Sequence, residues 1–387
     1  MRDLSKNNFS PQSLFAFAAY LLAFSLPVSI VSAQVAAGLV LLFGAWLLLG
    51  GAKRNRVRPL HATFLTVFLL IFVLSAILSP SFALAVPQLK KSWVLLCFFP
   101  LAAFLPNYSL RRALQLLIFG AGLASLIGIY RFFVEGLERA APYSGGYTTM
   151  ALFEAAALPC AIVFAAQNKR LLRFVNIVSI TAMVAGLIAS QTRAGWFAAV
   201  VAALIVGFSA NKKVTSIALL TVLIVVFSIP QTRNLVLNRF ETEKKGGITS
   251  GRTILWNDAA GRLGHLPFFG FGPGCFKRLV SPRLLDEIGD KGVASWHSTL
   301  LDILIESGPL ATLALAALMV VSLIGSIEHY LKSGRGLQSL AVFSSLLSIY
   351  LCALTTNLFR DFMLMGLLTV LWITAFDLEQ LASSHNV

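Results

Sequence analysis

The stretch QTRNLVLNRFETEKKGGITSGRTILWNDAAGRLGHLPFFGFGPGCFKRLVSPRLLDEIGDKGVASW, residues 231–296, decides how this chain is read, because it is the only long hydrophilic segment between apolar runs. On either side of it, hydrophobic runs of bilayer-crossing length recur at residues 13–31, 33–50, 60–79, 83–105, 113–134, 149–166, 173–190, 194–210, 214–230, 298–327, 338–356 and 362–378. A chain of 387 residues, 57% hydrophobic and 12% charged, with a mean hydropathy of +0.81, cannot bury that much apolar surface in a water-soluble core. The patterning predicts an all-α, polytopic membrane protein of about 12 transmembrane helices with one long outer loop containing short helices, since only helices satisfy so many backbone groups in lipid without the alternation of a barrel. The chain divides accordingly into nine helices over 1–230, the loop over 231–297, and three helices with a tail over 298–387.

The net charge of +15 is mostly topological. A nucleic-acid binder gathers its Lys and Arg on one folded face, whereas here they fall in short clusters between apolar runs, so no nucleic acid is expected. Every second connection is basic: Lys53, Arg54, Arg56 and Arg58; Arg111 and Arg112; Lys169, Arg170 and Arg173; Lys212 and Lys213; Lys332 and Arg335. The positive-inside rule puts these in the cytoplasm with both termini, and the long loop outside. The loop itself carries ten basic and six acidic residues, a surplus of four that suits an anionic ligand. The first run follows a weakly basic start and precedes Val31-Ser32-Ala33; at near 20 residues it exceeds a signal-peptide core of about 7 to 15 and is read as an uncleaved helix. Cys97, Cys160 and Cys352 lie in apolar runs and Cys275 alone in the loop, so no disulfide is expected. The histidines at 61, 265, 297, 329 and 385 are scattered, which argues against a metal cage.

Within the loop, Ile254, Leu255, Ala259 and Leu263 recur at helical spacing and predict a short amphipathic helix over 253–263. Lys244-Lys245-Gly246-Gly247 reads as a turn, and Gly270 to Gly274 as a tight bend around Pro273. Several places carry candidate chemistry. Arg193, in Ser190-Gln191-Thr192-Arg193-Ala194-Gly195-Trp196, stands where two apolar helices meet with almost no loop; it either binds a ligand or anchors at the interface beside Trp196. Arg252 opens the loop helix, where a guanidinium holds phosphate oxygens in a bidentate way; a solvated arginine is the alternative. His297, as the chain re-enters lipid, suits a proton acceptor, or else packs under Trp296 as a structural histidine. Lys90, Lys91 and Arg360 are accessory candidates, and Glu306 needs a partner that the sequence does not name.

Arg193 in its Thr-Arg-Ala-Gly-Trp turn, Arg252 four residues before Trp256, the glycine turn of Pro267 to Phe276, and His297 ahead of Leu300, Leu304, Glu306 and Gly308 together resemble the O-antigen ligase and polymerase superfamily, most closely an O-antigen ligase. The motifs span about Ala140 to Gly308, with a looser likeness over Arg139 to Leu158; Ser298 replaces the asparagine that often follows the histidine. The resemblance implies a bacterial inner-membrane glycosyltransferase with its loop and active site in the periplasm. It implies transfer of glycan from undecaprenyl diphosphate to a lipid A-core sugar hydroxyl, with inversion and without metal, nucleotide or other cofactor. It further implies His297 as general base and Arg193 and Arg252 on the diphosphate. A polymerase or a protein O-oligosaccharyltransferase of the same superfamily is the alternative. A secondary transporter fits less well, because paired Gly/Pro-broken segments are missing from corresponding halves.

Overall fold

The computed structural model describes residues 10–53, 59–105, 107–210, 212, 233–234, 252–287, 293–332 and 336–384. Among these residues the chain is helical throughout, with no strand. Eight spans are long and apolar enough to cross a membrane: 30–49, 60–78, 82–104, 109–134, 147–167, 170–190, 193–210 and 299–332. Three shorter apolar helices, 11–25, 337–353 and 362–375, account for three more of the expected runs. The run at 214–230 and the Lys244 turn lie outside the described residues. The chain is a multi-pass membrane protein of apolar helices.

Among the described residues the α-helices are α1 (Pro11–Ser25), α2 (Ile30–Leu49), α3 (Pro59–Leu78), α4 (Phe82–Ser92), α5 (Phe98–Phe104), α6 (Asn107–Val134), α7 (Tyr147–Gln167), α8 (Arg170–Ser190), α9 (Arg193–Ala210), α10 (Arg252–Arg262), α11 (Phe276–Leu279), α12 (Pro282–Glu287), α13 (Thr299–Lys332), α14 (Leu337–Ala353) and α15 (Phe362–Ser384). The first apolar boundary falls earlier than hydropathy suggests, because Pro27 interrupts the chain and Ser29 caps α2 by accepting from Ser32 N–H. The centre of the bundle is α7, 83% of whose apolar window is buried against 33% for α8 and α9. Its run of Ala151, Ala155, Ala156, Ala157 and Ala161 lets α6, α8, α9 and α14 approach closely, which is how helices pack where lipid removes the hydrophobic drive.

Two expected single helices are broken. The run at 83–105 is α4, a 3-10 stretch over Trp93–Cys97, and α5; Pro100 has no N–H to complete the helical ladder there. The run at 298–327 starts as α13 and breaks at Gly308, whose φ of 83° and ψ of 176° precede Pro309. The break leaves the carbonyls of Ile305 and Glu306 without helical donors, and the loop together with α3 supplies them. Phe271 N–H donates to Ile305 O and Gly272 N–H to Glu306 O, both at 2.8 Å, and Ser75 Oγ donates to Glu306 O at 2.7 Å. The expected bend at Gly270 to Gly274 is this clasp, with positive φ at Gly270, Gly272 and Gly274. A Cβ at Gly308 would stand 2.1 Å from Phe268 O, so only glycine permits the approach.

Connections assigned to one side by charge parity gather at one end of the bundle. Ser79 Oγ donates to Phe271 O at 3.3 Å, Arg278 Nη1 to Ser81 Oγ at 2.9 Å, and Gln191 Nε2 to Glu138 O at 2.9 Å. At the other end Arg111 reaches Asn168 at 3.4 Å, and Gln338 reaches Gln167 at 2.8 Å.

Candidate functional site

The loop core is small and specific. Leu255 and Ala259 of α10 turn inward onto Cys275, Phe276, Val280, Trp296 and Ile305, so the predicted amphipathic helix forms over 252–262; Leu263, expected on its apolar face, is exposed because the chain tightens into a 3-10 turn there. Trp296 is fully buried, edge-on to Phe276 with centroids 4.9 Å apart, and its Nε1–H donates to Asp258 Oδ2 at 2.9 Å. It is therefore committed to the loop core. The same Asp258 accepts from Arg262, and Trp256 Nε1–H donates to Trp296 O at 3.0 Å. This lattice ties the start of α10, and hence Arg252, to the residue before His297.

His297 has a φ of 55°. Left-handed backbone in a residue with a β-carbon costs on the order of 1–3 kcal/mol and persists only where its surroundings impose it. Here Trp296 N–H donates to Asp302 Oδ1 at 2.9 Å, Ser298 N–H to Asp302 Oδ2 at 3.4 Å, and His297 N–H to Ser295 Oγ at 3.2 Å. Among the described residues, Gln191 is the other non-glycine with positive φ, at 54°. Both residues line the same cavity.

That cavity has a volume of about 400 Å³ and is walled by Arg139, Tyr147, Thr149, Gln191, Arg193, Arg252, His297, Asn357, Arg360 and Asp361 among others. Arg193, Arg252 and His297, each singled out from the sequence, thus meet in one place although 104 residues separate the first from the last (297 − 193). Arg193 is the first residue of α9, and Trp196 spends its indole N–H on Leu187 O one helix away. Arg252 begins α10, and burial holds its guanidinium below the usual range while leaving it a cation. His297 is pushed down to about 4, first by burial and then by the positive charges of Arg252 and Arg360. Its imidazole is therefore neutral at neutral pH and open to a proton.

Of the accessory candidates, Arg360 lines the cavity and pairs with Glu306, the partner that the sequence left unnamed. Lys91 stands behind it, donating through Nζ to Arg360 O at 2.9 Å, while Lys90 and Lys91 contribute nothing to the cavity wall. Thr299 Oγ1 donates to Thr356 O at 2.7 Å and accepts from Leu358 N–H at 3.1 Å, fastening the turn that carries Arg360 to the helix that follows His297. His265 sits exposed in the 3-10 turn, away from the cavity.

The sequence reading missed Arg139, Tyr147, Thr149 and Asp361. Arg139 stacks over the Tyr147 ring at 4.5 Å; Asp361 Oδ2 accepts from Thr149 Oγ1 at 2.5 Å, and its Oδ1 caps α15 through Met363 N–H at 2.8 Å. For Arg139, Tyr147 and Asp361 the available signal was their place between apolar runs; Thr149 opens the run at 149–166 and had none. Chemically, the arrangement offers half-buried cations for an anionic group and a neutral imidazole beside them.

No curated protein matches the chain. Residues 177–316, which run from within α8 through the long loop into α13 and include Arg193, Arg252 and His297, match the family model described as O-antigen ligase, and that segment supports the chain's resemblance to the O-antigen ligase superfamily.

Proposed function

We propose that this protein is an O-antigen ligase of the bacterial inner membrane, transferring a glycan from undecaprenyl diphosphate to a sugar hydroxyl of lipid A-core in a periplasm-facing cavity. The observation that supports this reading is the convergence of Arg193, Arg252 and neutral His297 on one half-buried cavity at the loop end of the bundle. In the reaction, the acceptor oxygen forms a bond to the anomeric carbon as the bond from that carbon to the diphosphate oxygen breaks. The leaving diphosphate takes the electron pair and the developing charge, which Arg193 and Arg252 neutralise from fixed positions. The acceptor proton passes to His297. Attack opposite the leaving group inverts the anomeric centre. The positive-inside pattern supports the orientation, and the apolar helices supply a lipid route for the carrier.

A polymerase or a protein O-oligosaccharyltransferase would use the same cavity with a different nucleophile. The distinguishing experiment incubates purified protein with lipid-linked glycan and, separately, lipid A-core, a second lipid-linked glycan, and a Ser/Thr-containing protein acceptor. Glycan gained by lipid A-core supports the ligase. Lengthening of the lipid-linked glycan makes the protein a polymerase, and glycan on the protein acceptor makes it a protein glycosyltransferase.

A further inference from the structure

Asp302 is fully buried and absent from the cavity wall, yet it is bound to the residues on both sides of His297. Its two carboxylate oxygens divide the work: Oδ1 takes the N–H of Trp296 at 2.9 Å, and Oδ2 takes the N–H of Ser298 at 3.4 Å. Ser298 lies at the start of α13, so that second contact alone would be ordinary capping. Trp296 precedes the helix and belongs to the loop core, so the first contact serves the turn and not the helix. Between the two tethered amides, the chain passes through the left-handed conformation of His297.

We propose that Asp302 is the positioning residue for His297, a two-oxygen clamp on the flanking peptides that holds the histidine turned into the cavity. The proposal rests on the reading of His297 as the base. It requires a carboxylate: an amide offers one acceptor oxygen, so one of the two N–H groups would face another donor. Glu306, the next acidic residue along α13, cannot substitute, because its side chain is committed to Arg360. The clamp also explains how one helix start serves both halves of the site, since Thr299 holds the Arg360 turn from the adjoining position.

The test is a double-mutant cycle of Asp302→Asn and His297→Ala, reading the rate of glycan transfer at saturating donor alongside binding of the lipid-linked donor. A base displaced by about 1 Å loses on the order of 100-fold, so Asp302→Asn alone is expected to lower the rate by about 10- to 100-fold with donor binding unchanged. In the His297→Ala background the same change should cost little more, because the group that it positions is gone. Should Asp302→Asn fail to accumulate in membranes, Asp302→Glu, which keeps both oxygens but shifts them, runs the same cycle. A wild-type rate in the Asp302 variant, an equal loss in both backgrounds, or loss of donor binding overturns the positioning role. Full activity in His297→Ala itself would instead remove the base assignment on which the proposal rests.

Discussion

At one end of the helix bundle Arg193, Arg252 and Arg360 stand half-buried around a cavity; at the other, Arg111, Arg112, Arg170 and Arg173 stand exposed on the helix ends. Both ends carry arginine. What differs is the surroundings. At the exposed end Arg111 touches the Phe164 ring at 5.4 Å and Asn168 at 3.4 Å, both weak restraints in water. At the cavity end Arg360 is paired with Glu306, its backbone is held by Lys91, and Arg252 is withdrawn from solvent. Keeping a cation out of water is costly unless an anion is to arrive, so in the proposed reading burial, and not charge, separates the arginines assigned to the substrate from those assigned to orientation.

The sharpest break of that comparison lies in the group beside the half-buried cations. His297→Ala should lower glycan transfer by about 10² to 10⁴-fold, the usual worth of a general base, with binding of the lipid-linked donor retained because the donor's charge is met elsewhere. His265→Ala, in the exposed 3-10 turn of the same loop, should leave the rate near wild type. Parallel assays of transfer and donor binding decide it; a His297 variant that fails only because donor no longer binds assigns that residue to binding.

Next in size is the loss of either half-buried arginine, Arg193 or Arg252. Arg193→Ala or Arg252→Ala should reduce transfer by about 10² to 10³-fold, the scale for removing one fixed donor from developing negative charge, and should weaken donor binding as well. Lysine should restore part of this, since an ammonium carries the charge but lacks the planar fork. Wild-type activity in the alanine variant at 193 would return that residue to the role of interfacial anchor.

A smaller effect follows from pH. Burial and the neighbouring cations depress His297 to about 4, so the base form persists well below the usual titration of a histidine. At limiting donor, transfer should stay nearly level as pH falls from 7 to 5, where a base with an ordinary value of about 6.5 would lose on the order of 30-fold. Below pH 4 the rate should drop about tenfold per unit as the imidazole protonates. Bound diphosphate offsets part of the cationic field, so at saturating donor the acid limb should move to higher pH. A limb at the same pH under both regimes would mean that the arginines and the histidine do not sense the same ligand.

Much of this was legible in the sequence because lipid makes the code simple: apolar runs gave the helices, basic connections gave the pairing of ends, and the amphipathic spacing of Leu255 and Ala259 gave α10. The break in α13 was not legible from hydropathy, which sums side chains and is blind to a backbone that turns over at Gly308; the Gly308-Pro309 pair was its one local sign. The partner of Glu306 lies 54 residues away, and no local pattern reports such a pairing. Asp302 carries no local sequence sign either, because its contacts depend on two peptide N–H groups presented by a turn that only the folded loop creates.

The smallest expected effect tests the exposed end directly. Arg170→Gln should leave glycan transfer within about twofold of wild type, since an exposed cation on a helix end contributes little to packing and sits far from the cavity wall. Orientation should hold too, because Lys169 and Arg173 remain in the same connection and the bias is shared over several connections. The matched change Arg252→Gln removes the same charge by the same chemistry and should cost about two orders of magnitude. Measured side by side with membrane insertion checked for each, the pair isolates place from charge. Equal losses in both variants would mean that total positive charge, and not the burial of particular arginines at the cavity end, governs what this protein does.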